Sequence, residues 1–365
     1  MRRIAVVTCY RQPDYVRAIT LRHAVADLGD ELVVVKNRSR GVRRYAEVTG
    51  ELWRMRRARP DAYIVTFRAF EILPIVLALA GRRPVVYDEF INPVEWFVEE
   101  HGRLRPGSLG ATALRGAFRA MMRRCALVLA DTASHAEHAA ELMDLPREHW
   151  AVVPVGTDED TFRPVERTPA EHGPGKRAQG APFRVLYYGS MLPRHGLDVL
   201  LEAAVQLADR DDIVVDIVGG SEADRERVDA AIARGAHATY RSWVPYEELP
   251  ALFAASGLAV GGPLGGTVQS RYVITGKTFQ FLASAVPTLV GANLESGVFT
   301  DRRDALVVPQ ADPGAVATAI RWAADHRHEL AAIGRGGREL YERLWSRPRI
   351  ADALRVALAR LPGRR

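Results

Sequence analysis

Lysine is scarce in this chain. Only Lys36, Lys176 and Lys277 occur among 50 lysines and arginines, a bias that a GC-rich coding sequence produces wherever either cation will serve. Lys277 has kept its compact ammonium against that pressure. It stands in Val273–Gln280, VITGKTFQ. Gly-Lys-Thr is the end of the P-loop signature, but the position that needs the first glycine is Arg271. A P-loop also leaves a strand directly, and a carboxylate at another strand end holds its magnesium. Here the preceding apolar run stops at Val260, and no strand of this half ends in such an Asp. What remains is a helix start preceded by the glycine-rich stretch Gly261–Thr267, GGPLGGT. Backbone N–H groups of such a loop and of a helix N-terminus bind anions without a P-loop. The chemistry on offer is therefore that of a phosphate-holding site built around Lys277.

Other chemistries fit less well. A dinucleotide-binding fold needs Gly-x-Gly-x-x-Gly after its first strand. The first strand runs instead into Cys9-Tyr10-Arg11-Gln12-Pro13, and the strand from Phe183 meets Gly189-Ser190 and then Gly196 at the wrong spacing. No Gly-x-Ser-x-Gly elbow is present. His135 and His138 flank Glu137 on a helical pattern with no evident third ligand, which reads as a solvated helix face rather than a metal site. Two cysteines, Cys9 and Cys125, make no disulfide framework and suit a reducing cytoplasm. The net charge is +6 and the pI about 9.5, yet 44 acidic residues are spread along the chain, which argues against a nucleic-acid partner. Leu104–Cys125 mixes five arginines with Leu, Phe and Met. It reads as a packed helix with a basic outer face in preference to a membrane contact. The apolar run after Met1 is too short for a signal peptide, and no run reaches the length of a membrane span.

The elements that must position Lys277 follow from hydrophobic periodicity. Strands are expected at Ile4–Val7, Leu32–Val35, Tyr63–Val65, Pro84–Tyr87, Leu127–Ala130 and Ala151–Val153, with helices near 14–28, 42–58, 70–80, 110–123 and 133–144. Residues 166–182, rich in Pro, Gly and charge, break the rhythm and read as a linker or exposed loop. It resumes with strands at Arg184–Tyr188, Ile213–Val218, Thr239–Arg241, Leu258–Val260, Thr288–Val290 and Ala305–Val308, and helices near 196–208, 223–233, 247–255, 276–284 and 312–325. The expected fold is α/β: two doubly wound parallel-sheet domains of Rossmann type, 1–165 and 183–344, facing a cleft.

Six motifs in one order resemble the GT-B glycosyltransferases, and within them the large retaining group called family 4. Pro154-Val155-Gly156-Thr157-Asp158 with Phe162 and Pro164 resembles that group's interdomain segment. Tyr188-Gly189-Ser190 followed by Arg194-His195-Gly196 resembles its phosphate loop, and Ile217-Val218-Gly219-Gly220 its strand ending in Gly-x-Gly. Trp243-Val244-Pro245 with Glu247-Glu248-Leu249-Pro250, Lys277 to Pro287, and Asn293 to Pro309 resemble three further segments. The resemblance spans nearly the whole chain and implies a helix at 345–365 that returns to the first domain.

It also implies roles. Arg194 and Lys277 would meet the two phosphates of a nucleotide sugar. Gly189, Ser190, His195, Gly219, Trp243, Val244, Gly265, Gly266, Thr267 and Gln280 would complete the donor site. The group's usual glutamates are replaced by Gln280 and, eight residues earlier, Tyr272. An amide still accepts from a ribose hydroxyl, without the charge. For the acceptor, the residues that follow strands or open helices are the candidates: Tyr10, Arg11, Tyr15, Arg17, Asp88, Glu89 and Thr132, with Asp88 foremost. The implied reaction moves a sugar from a nucleotide-diphosphate sugar to a hydroxyl or amine of a small or lipid-linked acceptor, with retention of anomeric configuration. No metal or other cofactor is expected. The alternatives are a non-catalytic sugar-nucleotide binder or partner subunit, and a sugar-nucleotide 2-epimerase on the same fold.

Overall fold

The computed structural model describes residues 1–100, 102–164 and 181–362. The linker expected at 166–182 lies outside the described residues, apart from Ala181 and Pro182. Contacts divide the chain into two compact units: Met1–Gly156 with the chain from Arg347 onward, and Thr157–Ser346.

All twelve expected apolar runs form strands, with ends shifted by a residue or two. In the first unit these are β1 (Arg3–Thr8), β2 (Glu31–Lys36), β3 (Ala62–Val65), β4 (Val85–Asp88), β5 (Leu127–Ala130) and β6 (Trp150–Val152). They make one parallel sheet in the order β2-β1-β3-β4-β5-β6. The strands are apolar throughout because both faces are covered. Ala5, Val7, Val65 and Tyr87 face a core shared with α2 (Arg43–Met55), α3 (Leu73–Ala80), the short α4 (Pro93–Glu95), α5 (Leu109–Arg124) and α6 (Ala133–Met143). Alternate residues Ile4, Val6, Ile64 and Val86 face α1 (Val16–Asp27) and the C-terminal helix Arg347–Ala359. That last helix buries Ile350, Ala351, Leu354, Ala357 and Leu358 there, and Arg347 pairs with Asp27 at 2.5 Å. Val356 of the same helix is exposed. Helix α5 buries Ala111, Phe118 and Met122 and turns Arg115, Arg123 and Arg124 outward.

The second unit holds β7 (Phe183–Tyr188), β8 (Ile213–Val218), β9 (Ala238–Arg241), β10 (Leu258–Val260), β11 (Thr288–Ala292) and β12 (Leu306–Pro309), in the parallel order β12-β11-β10-β7-β8-β9. Its helices are α7 (Leu197–Val205), α8 (Glu222–Ala233), α9 (Leu249–Ala255), α10 (Gly276–Ala283), α11 (Pro313–Asp325) and α12 (Arg327–Leu344). The unit begins earlier than the motif spacing implied. Phe162 is fully buried against Phe253, with ring centroids 5.4 Å apart, and the Thr157 amide donates to the Tyr341 hydroxyl at 3.2 Å. Residues 157–164 therefore belong to the second core, not to a domain ending at 165.

Candidate active site

In the second unit the chain order reverses at β7, which lies between β10 and β8. Loops leaving neighbouring strands in opposite directions open a crevice at such a point, beyond the strand carboxyl ends. The loop after β7 turns at Gly189 and Met191, both at positive φ, and enters a one-turn helix at Pro193–His195. Gly196, at φ +72°, then opens α7. A Cβ at Gly196 would lie 2.6 Å from the Gly265 nitrogen, so only glycine lets the two loops run backbone against backbone. The Gly265 amide accordingly donates to the Arg194 carbonyl at 3.1 Å. Gly219, at φ +103°, abuts the Gly189 carbonyl in the same way.

These contacts bring Arg194, His195 and Lys277 together. Arg194 Nη1 donates to Gln269 Oε1 at 3.0 Å. His195 Nδ1 is buried without a hydrogen-bond partner. Burial pulls that imidazole well below the usual histidine range, and cations at Lys277 and Arg194 act in the same direction. Lys277 is the second residue of α10 and only 6% exposed. Its Nζ has no hydrogen-bond partner and lies 3.6 Å from the centroid of the Tyr187 ring. Burial alone pushes its pKa well below the ordinary lysine value. Thr275, which precedes the helix, does not cap it: its hydroxyl donates to the Gly261 carbonyl at 2.7 Å and meets Thr278 Oγ1 at 2.9 Å. The residue before the helix thus lends its first N–H groups no side-chain cap, as suits an anion site.

Around this centre the other candidates take distinct positions. Gln280, one turn beyond Lys277, is 6% exposed, and Tyr272 is buried. Ser190 and Gly266 are exposed. The Thr267 hydroxyl accepts from the Ser270 amide at 3.2 Å and so closes the turn Gln269–Arg271. Trp243, 73% exposed, and the half-buried Val244 follow β9, two strands from β7 at the sheet edge. Sequence reasoning missed the supports. Asn293 Nδ2 donates to the Ser270 and Val273 carbonyls at 2.9 and 2.8 Å, and Gln310 Nε2 to the Pro263 and Ser270 carbonyls at 3.2 and 2.7 Å, bracing the loop before α10. Tyr187 and Gln269 were missed too. An aromatic in a strand carries the signal of core packing, and a lone Gln carries none.

In the first unit the acceptor candidates need correction. Asp88 and Arg17 are both wholly buried and spent on each other, Nη2 to Oδ1 at 2.7 Å. Glu89 is also buried, accepting from Trp150 Nε1 at 3.0 Å and from Asn92 Nδ2. Burial raises its carboxyl to about 7. None of the three has surface left for an acceptor, because their polar atoms satisfy backbone and side chains inside the unit. Thr132 caps α6 through the His135 amide at 3.1 Å. His135 and His138 do not form a solvated face. His135 is buried with Nδ1 2.5 Å from Asp131, and His138 Nε2 meets the buried Glu95 at 2.5 Å.

Beside the Arg17–Asp88 pair, at the carboxyl ends of β1, β3 and β4, is an aromatic group. Tyr15 stacks on Phe67 at 3.9 Å, Tyr10 meets Phe67 edge-on at 5.0 Å, and Phe90 lies 5.5 Å from Phe67. Arg68 stands 4.0 Å from the Trp96 ring centroid and 5.2 Å from that of Tyr10. Phe67 and Arg68 hold consecutive left-handed backbone conformations, φ 41° and 51°. Such conformations are strained for bulky residues, and they concentrate at functional sites.

Residues 182–326 match the family model described as Glycosyl transferases group 1. No curated protein matches the sequence. Among solved structures, Anabaena HepE in complex with UDP-glucose is similar over 99% of this chain and 100% of its own, at 12% identity and a TM-score of 0.74. Sucrose-phosphate synthase from Thermosynechococcus elongatus is similar over 98% of both chains, at 16% identity and a TM-score of 0.70. A UDP-forming α,α-trehalose-phosphate synthase from Burkholderia xenovorans is similar over the full length of both, at 13% identity and a TM-score of 0.63. At such identities the likeness is one of fold, and the fold is GT-B.

Proposed function

We infer the reaction of this chain, a GT-B glycosyltransferase, from one observation: an unpartnered, buried Lys277 Nζ beside Arg194 at the uncapped start of α10. The reading is transfer of a glycosyl group from a nucleoside-diphosphate sugar to an acceptor hydroxyl or amine. The diphosphate lies against Lys277, Arg194 and the amide of Gly266. Gln280 accepts from a ribose hydroxyl, and the base extends toward Val244 and Trp243. HepE crystallised with UDP-glucose, on the same fold, supports a nucleotide sugar as donor.

The chemistry then follows from charge. The bond from the anomeric carbon to the phosphate oxygen breaks while that carbon bonds to the acceptor oxygen, and the acceptor proton passes to the departing phosphate oxygen. Both events occur on one face of the sugar, so configuration is retained and no second carboxylate is needed, unlike in glycoside hydrolysis. Lys277 and Arg194 stabilise the charge that develops on the leaving diphosphate. They need no metal for this.

The acceptor binds on the first unit, over Tyr10, Tyr15 and Arg68 rather than at Asp88 or Glu89. No described helix is long and apolar enough to cross a membrane. We place the reaction in the cytoplasm, where the free Cys9 and Cys125 stay reduced. Incubating the enzyme with UDP-, GDP- and ADP-sugars and a panel of acceptors tests the reading. A product with a new glycosidic bond of unchanged anomeric configuration supports it. An epimerised donor, or tight binding without turnover, refutes it.

A further inference from the structure

The contacts of Lys277 raise a question of proton count. Its Nζ is buried, has no hydrogen-bond partner, and touches the face of the Tyr187 ring. A desolvated cation over an aromatic ring gains less than burying an ammonium costs. A lysine in that balance gives up its proton instead. The groups around it do not reverse this. The strand beneath offers Tyr187, and the loop after β7 offers His195 and Arg194. From α12, Arg338 reaches only the far end of the helix, donating to the Ala283 carbonyl at 2.7 Å. Among the described residues no carboxylate opposes the burial of Lys277.

We propose that the second unit takes up a proton from solvent when a diphosphate binds, and that Lys277 Nζ, an uncharged amine in the empty fold, receives it and becomes the ammonium. The proposal rests on the assignment of the diphosphate to Lys277 and Arg194 made above. Each part of the site favours this sequence. An amine is tolerated against the Tyr187 ring, and a phosphate oxygen supplies the negative partner that the fold withholds. His195, beside two cations, stays neutral and offers Nδ1 for a hydrogen bond. Arg194 cannot take part in the exchange, because a guanidinium keeps its proton. One consequence is specificity: neutral sugars and nucleosides without the diphosphate meet an amine, not a charge.

The experiment is calorimetric titration of the full chain with UDP, GDP and ADP, each alone, at pH 8 in buffers of different ionisation enthalpy. The observed heat is expected to vary linearly with that enthalpy, with a slope near one proton taken up. Affinity is expected to fall by up to about tenfold per pH unit between pH 7.5 and 9, as one-proton linkage requires. In that range the terminal phosphate, with a second pKa near 6, is already ionised and contributes nothing. In Lys277→Arg, whose side chain is always charged, the slope is expected to vanish. Binding with no proton uptake and no pH dependence overturns the proposal and leaves the diphosphate site standing. A slope that survives in Lys277→Arg moves the proton to another group and overturns the assignment to Lys277. Absence of binding by all three diphosphates overturns both this proposal and the function it rests on.

Discussion

Arg17 and Asp88 meet at 2.7 Å with both side chains wholly buried, and between them they tie three strand ends together. Arg17 Nη1 donates to the Val153 and Pro154 carbonyls, each at 2.7 Å, just beyond β6. Asp88 Oδ2, at the end of β4, accepts from the Thr66 hydroxyl at 2.8 Å and the Phe67 amide at 3.3 Å, just beyond β3. The pair thus holds the strained turn on which the aromatic group stands. Removing one partner of a buried pair strands the other charge at a cost of about 3–5 kcal/mol. Asp88→Asn and Arg17→Met are each expected to lower the urea midpoint accordingly. The double variant is expected to lose less than the sum, since the two share one interaction. Intact stability with a raised acceptor KM would return Asp88 to the acceptor site.

The aromatic group gives a separate prediction. If acceptors bind over Tyr10, Tyr15 and Arg68, then Tyr15→Ala and Arg68→Ala should raise acceptor KM about fivefold to tenfold, because a stacking contact is worth roughly 1–1.5 kcal/mol. Diphosphate affinity should stay unchanged. Steady-state kinetics with acceptor varied at saturating donor, beside a diphosphate titration, separates the two. A loss confined to diphosphate binding refutes the acceptor assignment.

How much of this was legible in the sequence depends on what each residue answers to. The strands were readable because sheets covered on both faces demand unbroken apolar runs such as Val33-Val34-Val35 and Leu127-Val128-Leu129. Lys277, Arg194 and the glycines were readable because backbone approach and charge allow few residue types. Asp88 misled for a physical reason. A carboxylate at a strand end looks the same whether it faces a ligand or an arginine, and its partner Arg17 stands 71 positions away in the chain. The histidines misled likewise: Glu95 stands 43 positions from His138, and Asp131, four before His135, lies ahead of the helix rather than on it.

His135 makes stability depend on pH. Burial disfavours the His135 charge, but the Asp131 carboxylate, with Glu89 and Glu95 beyond it, outweighs burial and raises its pKa from 6.5 to about 9. A histidine raised on folding stabilises fully below its unfolded pKa and loses that contribution as pH rises through the folded one. Stability should therefore fall between pH 6.5 and 9, by on the order of 2–3 kcal/mol. Glu89, raised to about 7 by burial, acts in the same direction between pH 4.5 and 7. Urea midpoints at pH 6 and pH 9 check this. The difference should shrink in Asp131→Asn, and a midpoint that rises with pH refutes the assignment.

At the proposed donor site the two cations should be separable from the fold. Lys277→Ala and Arg194→Ala each remove one charge-assisted contact, worth roughly 1.5–3 kcal/mol. Nucleoside diphosphate affinity should drop about tenfold to a hundredfold in each. Lys277→Ala also removes an unpartnered buried amine, so its circular dichroism and urea midpoint should not fall with its affinity. Unchanged affinity in both variants would take the phosphates away from this loop.

Gln280 is the sharpest discriminator, because it stands where the resembled group carries a glutamate. It lies three residues after Lys277 on α10, so the two share a face, and it is almost as buried. A ribose diol held by an amide oxygen gains a neutral hydrogen bond. A carboxylate in its place accepts more strongly, since charge-assisted hydrogen bonds are the stronger kind. In Gln280→Glu, diphosphate affinity is therefore expected to hold or to rise by up to about tenfold. Against this works the repulsion between a buried carboxylate and two phosphates, which dominates if the side chain points at the phosphates and not at the ribose. The nucleoside without phosphates resolves the two terms, because it keeps the ribose and removes the repulsion. Calorimetry with uridine and UDP, guanosine and GDP, or adenosine and ADP on both proteins is the measurement. Tighter nucleoside binding in the variant places Gln280 at the ribose. A loss for nucleoside and diphosphate alike removes it from the ribose and leaves the site remodelled for another ligand.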